Sequence, residues 1–113
     1  MKKNKIPDNI LELIPEKNIK WDKDEDGKIY LIKEKTSNIF LNKVIEFLKK
    51  DKYFKIHLDK TGSSVWGKIN GRKTILEICE ELKNEFGDEF YSAEERVSFF
   101  VSLMKKNKFV NFV

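Results

Sequence analysis

The stretch that decides the fold is Leu58-Asp-Lys-Thr-Gly-Ser-Ser-Val-Trp66-Gly-Lys-Ile-Asn-Gly71-Arg-Lys-Thr74-Ile-Leu-Glu77-Ile78. Asp59 or Thr61 can accept hydrogen bonds from the free N–H groups that open a helix. Val65, Trp66 and Ile69 recur at helical spacing behind that cap, and Asn70-Gly71 stops the run. Thr74-Ile-Leu-Glu77 spells a capping box, in which the threonine hydroxyl and the glutamate carboxylate satisfy each other's backbone N–H. It opens a second helix to about Phe86, with Ile75, Ile78, Cys79, Leu82 and Phe86 on one side and Gly87 past the end.

Working outward, Ser92-Ala-Glu-Glu95 reads as a second capping box opening a helix to about Lys106. Residues 109–113 close the chain as a short extended segment. Upstream, Tyr53-Phe-Lys-Ile-His-Leu58 reads as a strand, with Phe54, Ile56 and Leu58 on the core face and Tyr53, Lys55 and His57 on the other. Before it, Ser37 or Asn38 caps an amphipathic helix to about Lys50, in which Ile39, Phe40, Val44, Phe47 and Leu48 recur at helical spacing.

Residues 18–22 and 28–33 are β-rich runs separated by Lys23-Asp-Glu-Asp-Gly27, a hairpin with a charged turn. The acidic residues of that turn do not make a calcium loop, which needs ligands spread over about twelve residues with a closing glutamate. Asp8 is placed to cap a short helical turn that Pro15 stops. The expected fold class is therefore α+β, a winged helix-turn-helix-like domain. It comprises an N-terminal three-stranded antiparallel sheet with a helical insertion between strands 2 and 3, then three helices and a short C-terminal strand. Residues 1–17 form an N-terminal arm and 18–113 the domain.

Composition bounds the function. With 113 residues the chain fits one domain, and 40% hydrophobic with 37% charged residues describes a foldable core under a heavily charged surface. The net charge of +4 is uneven: residues 1–60 hold 15 Lys against 11 Asp and Glu, and residues 61–113 hold 8 Lys and Arg against 8 Asp and Glu. One cysteine, Cys79, excludes an internal disulfide. No stretch is apolar for long enough to cross a bilayer, and no secretory signal opens the chain, so a cytoplasmic location is expected. His57 is the single histidine, and no HxxH, CxxC, nucleophile-elbow or phosphate-loop motif is present. No catalytic residue, metal ligand or cofactor is expected.

The block from Leu58 to Ile78 resembles the signature of the PqqD family: Leu-Asp-x-x-Gly, then x-x-x-Trp, a helix end with Asn-Gly, a basic residue, Thr and an aliphatic helix carrying Glu-Ile. Phe86-Gly87, Glu94-Glu95, Phe100 and Phe109-Val110 fit the rest of the pattern. The likeness extends over about 21–113, with the helix at 38–50 resembling an insertion found in one subgroup.

The resemblance implies a noncatalytic module that recognises the leader of a ribosomally made precursor peptide. It would present that leader to a modifying enzyme such as a radical S-adenosylmethionine protein. The leader would add as a strand along Tyr53, Phe54, Lys55, Ile56 and His57 and lie against the helix at 92–106. On that helix Val97, Phe100, Val101 and Met104 form one apolar stripe, while Phe99 and Leu103 form a second pair at i, i+4. Arg96 and Lys55 would meet acidic side chains of the leader. The peptide-binding set is therefore Tyr53, Phe54, Lys55, Ile56, His57, Arg96, Phe99 and Leu103.

Two other readings compete. A winged helix suggests DNA, but the helix in the recognition position follows Asp88 and Glu89 and carries Glu94 and Glu95 in its first turn, which repels phosphate. A structural adaptor binding only its enzyme is the other. An exposed strand edge permits a monomer or an edge-paired dimer.

Overall fold

The structure, a computed structural model, describes residues 8–34 and 53–113. The helix expected at 38–50 lies outside the described residues. A single 3-10 turn, Ile10–Glu12, opens the described chain. It is closed by its own backbone bonds, Glu12 N–H to Asn9 O at 3.0 Å and Leu13 N–H to Ile10 O at 3.1 Å. Asn9, not Asp8, occupies its N-cap position and no side chain caps it.

Five strands follow in chain order: β1 Pro15–Lys17, β2 Lys20–Lys23, β3 Ile29–Glu34, β4 Tyr53–His57 and, at the far end, β5 Val110–Phe112. Between β4 and β5 come three helices, α1 Lys60–Lys68, α2 Ile75–Phe86 and α3 Ala93–Lys106. The class is α+β, and β2, β3 and β4 form the expected antiparallel sheet in that order. Its hairpin turn is built by Asp24, whose Oδ1 accepts from Asp26 N–H and Lys28 N–H at 2.9 Å each, while Gly27 takes φ +82°. That carboxylate serves the backbone, as Asx turns do.

The alternation of the sheet sorts its side chains. Trp21, Leu31 and Ile56 stand in register on the inner face, and Asp22, Tyr30 and His57 on the outer one. Trp21 and Tyr30 therefore stand on opposite faces of the sheet. Ile29 and Leu31 from the sheet share one buried core with Trp66, Val97 and Val101 from the helices.

The helix caps divide. Asp59 caps α1 by accepting from Gly62 N–H at 2.7 Å, and α1 ends at Lys68, two residues before Asn70. The Thr74 box is complete: Glu77 N–H donates to Thr74 Oγ1 at 3.1 Å, and Thr74 N–H to Glu77 Oε1 at 2.8 Å. The second box does not form. Ser92 sits in the left-handed region at φ 52°, ψ 42°, where its hydroxyl makes no capping bond, because the chain leaves a 3-10 turn at Gly87–Phe90 and must reverse into α3. An N-cap residue needs extended backbone to aim its oxygen at the free N–H groups.

The last segment is a strand with a partner that local sequence patterns do not reveal. β5 pairs antiparallel with β1, with Pro15 opposite Phe112 and Lys17 opposite Val110. Gly71 N–H donates to Pro15 O at 3.0 Å and Ile75 N–H to Leu13 O at 2.9 Å, so residues 13–17 also brace the turn between α1 and α2. Gly71 adopts φ +78°, and a Cβ there would lie 3.4 Å from Glu16 Cβ. Opposed charges tie the helices together on the surface: Lys68 pairs with Glu85 and Glu81, Lys73 with Glu81 at 2.8 Å, and Lys83 with Glu94 at 2.7 Å.

Two caps spelled alike but folded differently should respond differently. Thr74→Ala is expected to lose about 1 kcal/mol in a urea melt. Ser92→Gly is expected to be neutral or to gain up to about 1 kcal/mol, because glycine adopts the left-handed conformation without the Cβ penalty.

Candidate functional site: an open strand edge and an apolar helix face

β4 is paired on one side only among the described residues. Leu58 N–H donates to Ile29 O at 2.9 Å, which fixes the alternation along the strand. Backbone groups of Leu58, Ile56 and Phe54 face β3, and those of Tyr53, Lys55 and His57 face the unpaired edge. An edge of free N–H and C=O groups is a template for another strand.

Side chains along the edge have distinct surroundings. Lys55 and His57 are exposed and Ile56 packs partly against the core. The Lys55 ammonium lies 5.1 Å from the centre of the Tyr30 ring, and the Tyr30 and His57 rings are 5.6 Å apart. These contacts place Lys55 and His57 on the outer face of the sheet around Tyr30.

Helix α3 is brought near by Gly62. A Cβ built there would lie 3.2 Å from Phe100 Cε1 and 3.2 Å from Asp59 Oδ1, so glycine lets α3 approach the start of α1. Val97, Val101 and Met104 are buried and Phe100 packs against the core, so the first stripe of α3 is spent inside. Phe99 and Leu103 are not: they are 63% and 42% exposed. The open edge belongs to β4, and the exposed pair lies on α3, the helix whose Phe100 meets Gly62 of α1.

Arg96 is held more firmly than a free surface cation. Its Nη1 donates to Tyr91 O at 3.2 Å and its Nη2 to Thr61 Oγ1 at 3.5 Å, and its guanidinium lies 4.7 Å from the Phe90 ring centre and 5.0 Å from that of Tyr91. Beside it is a recess of about 100 Å³ lined by residues of α1, the end of α2, the following turn and α3. The sequence carries no local signal for this recess, because its walls come from three separated segments.

The cysteine is not placed to act as a nucleophile. Cys79 is buried, its thiol donates to Ala93 O at 3.7 Å, and burial together with the nearby Glu94 carboxylate pushes its pKa up to about 11. A thiolate nucleophile needs the opposite environment. Among the described residues no group of three or more His, Cys, Asp or Glu is placed to hold a metal ion. Among the same residues no helix is long and apolar enough to cross a membrane.

Among the described residues, an unpaired strand edge and an exposed apolar helix pair are two features left unspent by the core. The profile of the family described as Coenzyme PQQ synthesis protein D (PqqD) matches residues 42–110, more than half of the chain. The chain belongs to the PqqD family. The matched span starts later than the residues expected from the sequence pattern and takes in β4, all three helices and the first residue of β5. No curated protein and no solved structure matches the chain.

Burial separates the two stripes of α3 experimentally. Met104→Ala is expected to lose about 2–5 kcal/mol of stability, and Phe99→Ser to stay within about 0.5 kcal/mol, read from denaturant melts. Cys79 is expected to resist a thiol reagent at pH 8 in the folded protein and to react at once in denaturant. Its folded pKa lies above the unfolded value of about 8.5, so its share of stability is complete below that pH and is lost as pH rises toward 11.

Proposed function

We propose that this protein is a noncatalytic recognition module for a precursor peptide, with a winged-helix-like fold. The leader adds as a strand to the free edge of β4 and lays apolar side chains on Phe99 and Leu103. The observation that carries the reading is that, among the described residues, β4 keeps an unpaired edge while α3 leaves Phe99 and Leu103 exposed. Family membership supports it, since the family consists of accessory proteins of peptide maturation.

In this reading the backbone groups of Tyr53, Lys55 and His57 supply affinity without regard to sequence. Alternate side chains of the leader are read by Phe99, Leu103 and Arg96. Ile56 holds the strand from the core side. The protein itself supplies no cofactor and performs no bond-making step. It hands the leader to a separate modifying enzyme, of which a radical S-adenosylmethionine protein is the type expected, in the cytoplasm and as a monomer or an edge-paired dimer. The exposed carboxylates of Asp88, Glu89 and Glu95 at the approach to α3 weigh against a duplex phosphate backbone on that helix.

Titration of a precursor peptide encoded beside this protein's gene into the ¹⁵N-labelled chain is expected to shift amides at 53–57 and 92–106. An absence of shifts there at high micromolar peptide would contradict the proposal. Duplex DNA at low salt is expected to leave the same spectrum unchanged.

A further inference from the structure

The recess beside Arg96 is chemically unlike the β4 edge. Its floor is apolar, formed by Phe86 and Phe90, whose ring centres are 6.1 Å apart. Its rim is polar and cationic, with Lys60, Thr61 and Ser64 from α1 and the guanidinium of Arg96. Glu89 also lines it, so the lining carries two cations against one carboxylate. The neighbouring Asp59 carboxylate is engaged with Gly62 N–H. At about 100 Å³ the space is far above the ~10–15 Å³ that one water needs.

Arg96 is also preorganised. The ring contacts to Phe90 and Tyr91 and the bonds to Tyr91 O and Thr61 Oγ1 fix its plane. Those two bonds engage one N–H on each terminal nitrogen, and a guanidinium has five donors. A guest that satisfies floor and rim together needs a short methylene chain ending in an anionic, planar acceptor.

We propose that the recess takes a glutamate side chain of the bound peptide, with its carboxylate on Arg96 and Lys60 and its methylenes against Phe86 and Phe90. The source of the glutamate rests on the strand-addition reading above. Only Leu58 and Asp59 separate the end of β4 from Lys60, so one wall of the recess begins three residues past the open edge. A glutamate seated there lies just outside the segment that pairs with Tyr53–His57 and pins its register. Register matters because a slip of one residue would turn every leader side chain to the opposite face.

The test uses small probes that carry no strand. The ¹⁵N-labelled full chain is titrated with N-acetylglutamate N-methylamide and, separately, with its glutamine counterpart. The glutamate compound is expected to shift backbone amides at 60–64 and the Arg96 side-chain Nε–H. Both the glutamine compound against the native chain and the glutamate compound against Lys60→Gln are expected to bind about two- to fivefold more weakly, the range of one exposed charge pair. Equal shifts from both compounds, or none at those positions, would overturn the proposal. Silence at 60–64 together with peptide-induced shifts at 53–57 would remove the glutamate site and leave strand addition standing. Shifts at 60–64 without any peptide response at 53–57 would keep the recess and remove strand addition.

Discussion

The corner at Leu58 and Asp59 holds the sheet, the first helix and the last helix in one arrangement. Ile29 anchors both sides of it: its carbonyl accepts from Leu58 N–H at 2.9 Å, and its N–H donates to Ser63 Oγ at 2.8 Å. Asp59 then caps α1 two residues past the strand's end. With sheet and α1 locked at this angle, Gly62 admits the Phe100 ring, and Phe100 in turn sets the height of α3 beside the corner. Any side chain at position 62 would push against Phe100 and the Asp59 carboxylate together.

A second brace keeps the corner from opening at the other end of the helices. The β1–β5 pair closes the chain on itself, extended by Asn18 N–H to Phe109 O at 2.8 Å and Val113 N–H to Ile14 O at 2.8 Å. Lys17 extends the brace inward. Its ammonium donates to Ile69 O at 2.7 Å and lies 5.0 Å from the Trp21 ring and 5.7 Å from that of Trp66, and burial lowers its pKa from the ordinary lysine value. A cation between two indoles gains from their negative faces part of what it loses in hydration.

What was legible in the sequence was what is decided within a few residues. Thr74 and Glu77 find each other across one helical turn, and Asp59 and Gly62 do the same, so cap spelling and cap structure coincide there. Ser92 and Glu95 have the same spelling, but the 3-10 turn before them dictates a left-handed serine, and tertiary path overrides the local motif. The β1 strand is three residues long and contains a proline, too short for alternation to declare it, and its partner lies at the opposite end of the chain. The two stripes of α3 were readable as a pattern, yet only packing decides which is covered: Val101 goes inside and Phe99 stays out. The Arg96 recess was not legible at all, since Thr61, Phe90 and Arg96 meet only after three helices have packed.

The central claim is that the free edge of β4 receives a strand, and backbone hydrogen exchange reads that edge directly. Lys55 and His57 direct their N–H groups away from β3, whereas Ile56 and Leu58 direct theirs into the sheet. In the free protein, Lys55 and His57 amides are predicted to exchange faster than those of Ile56 and Leu58. With the precursor peptide bound, they are predicted to slow until the alternation disappears. Unchanged fast exchange at Lys55 and His57 in a demonstrably saturated complex would contradict the account.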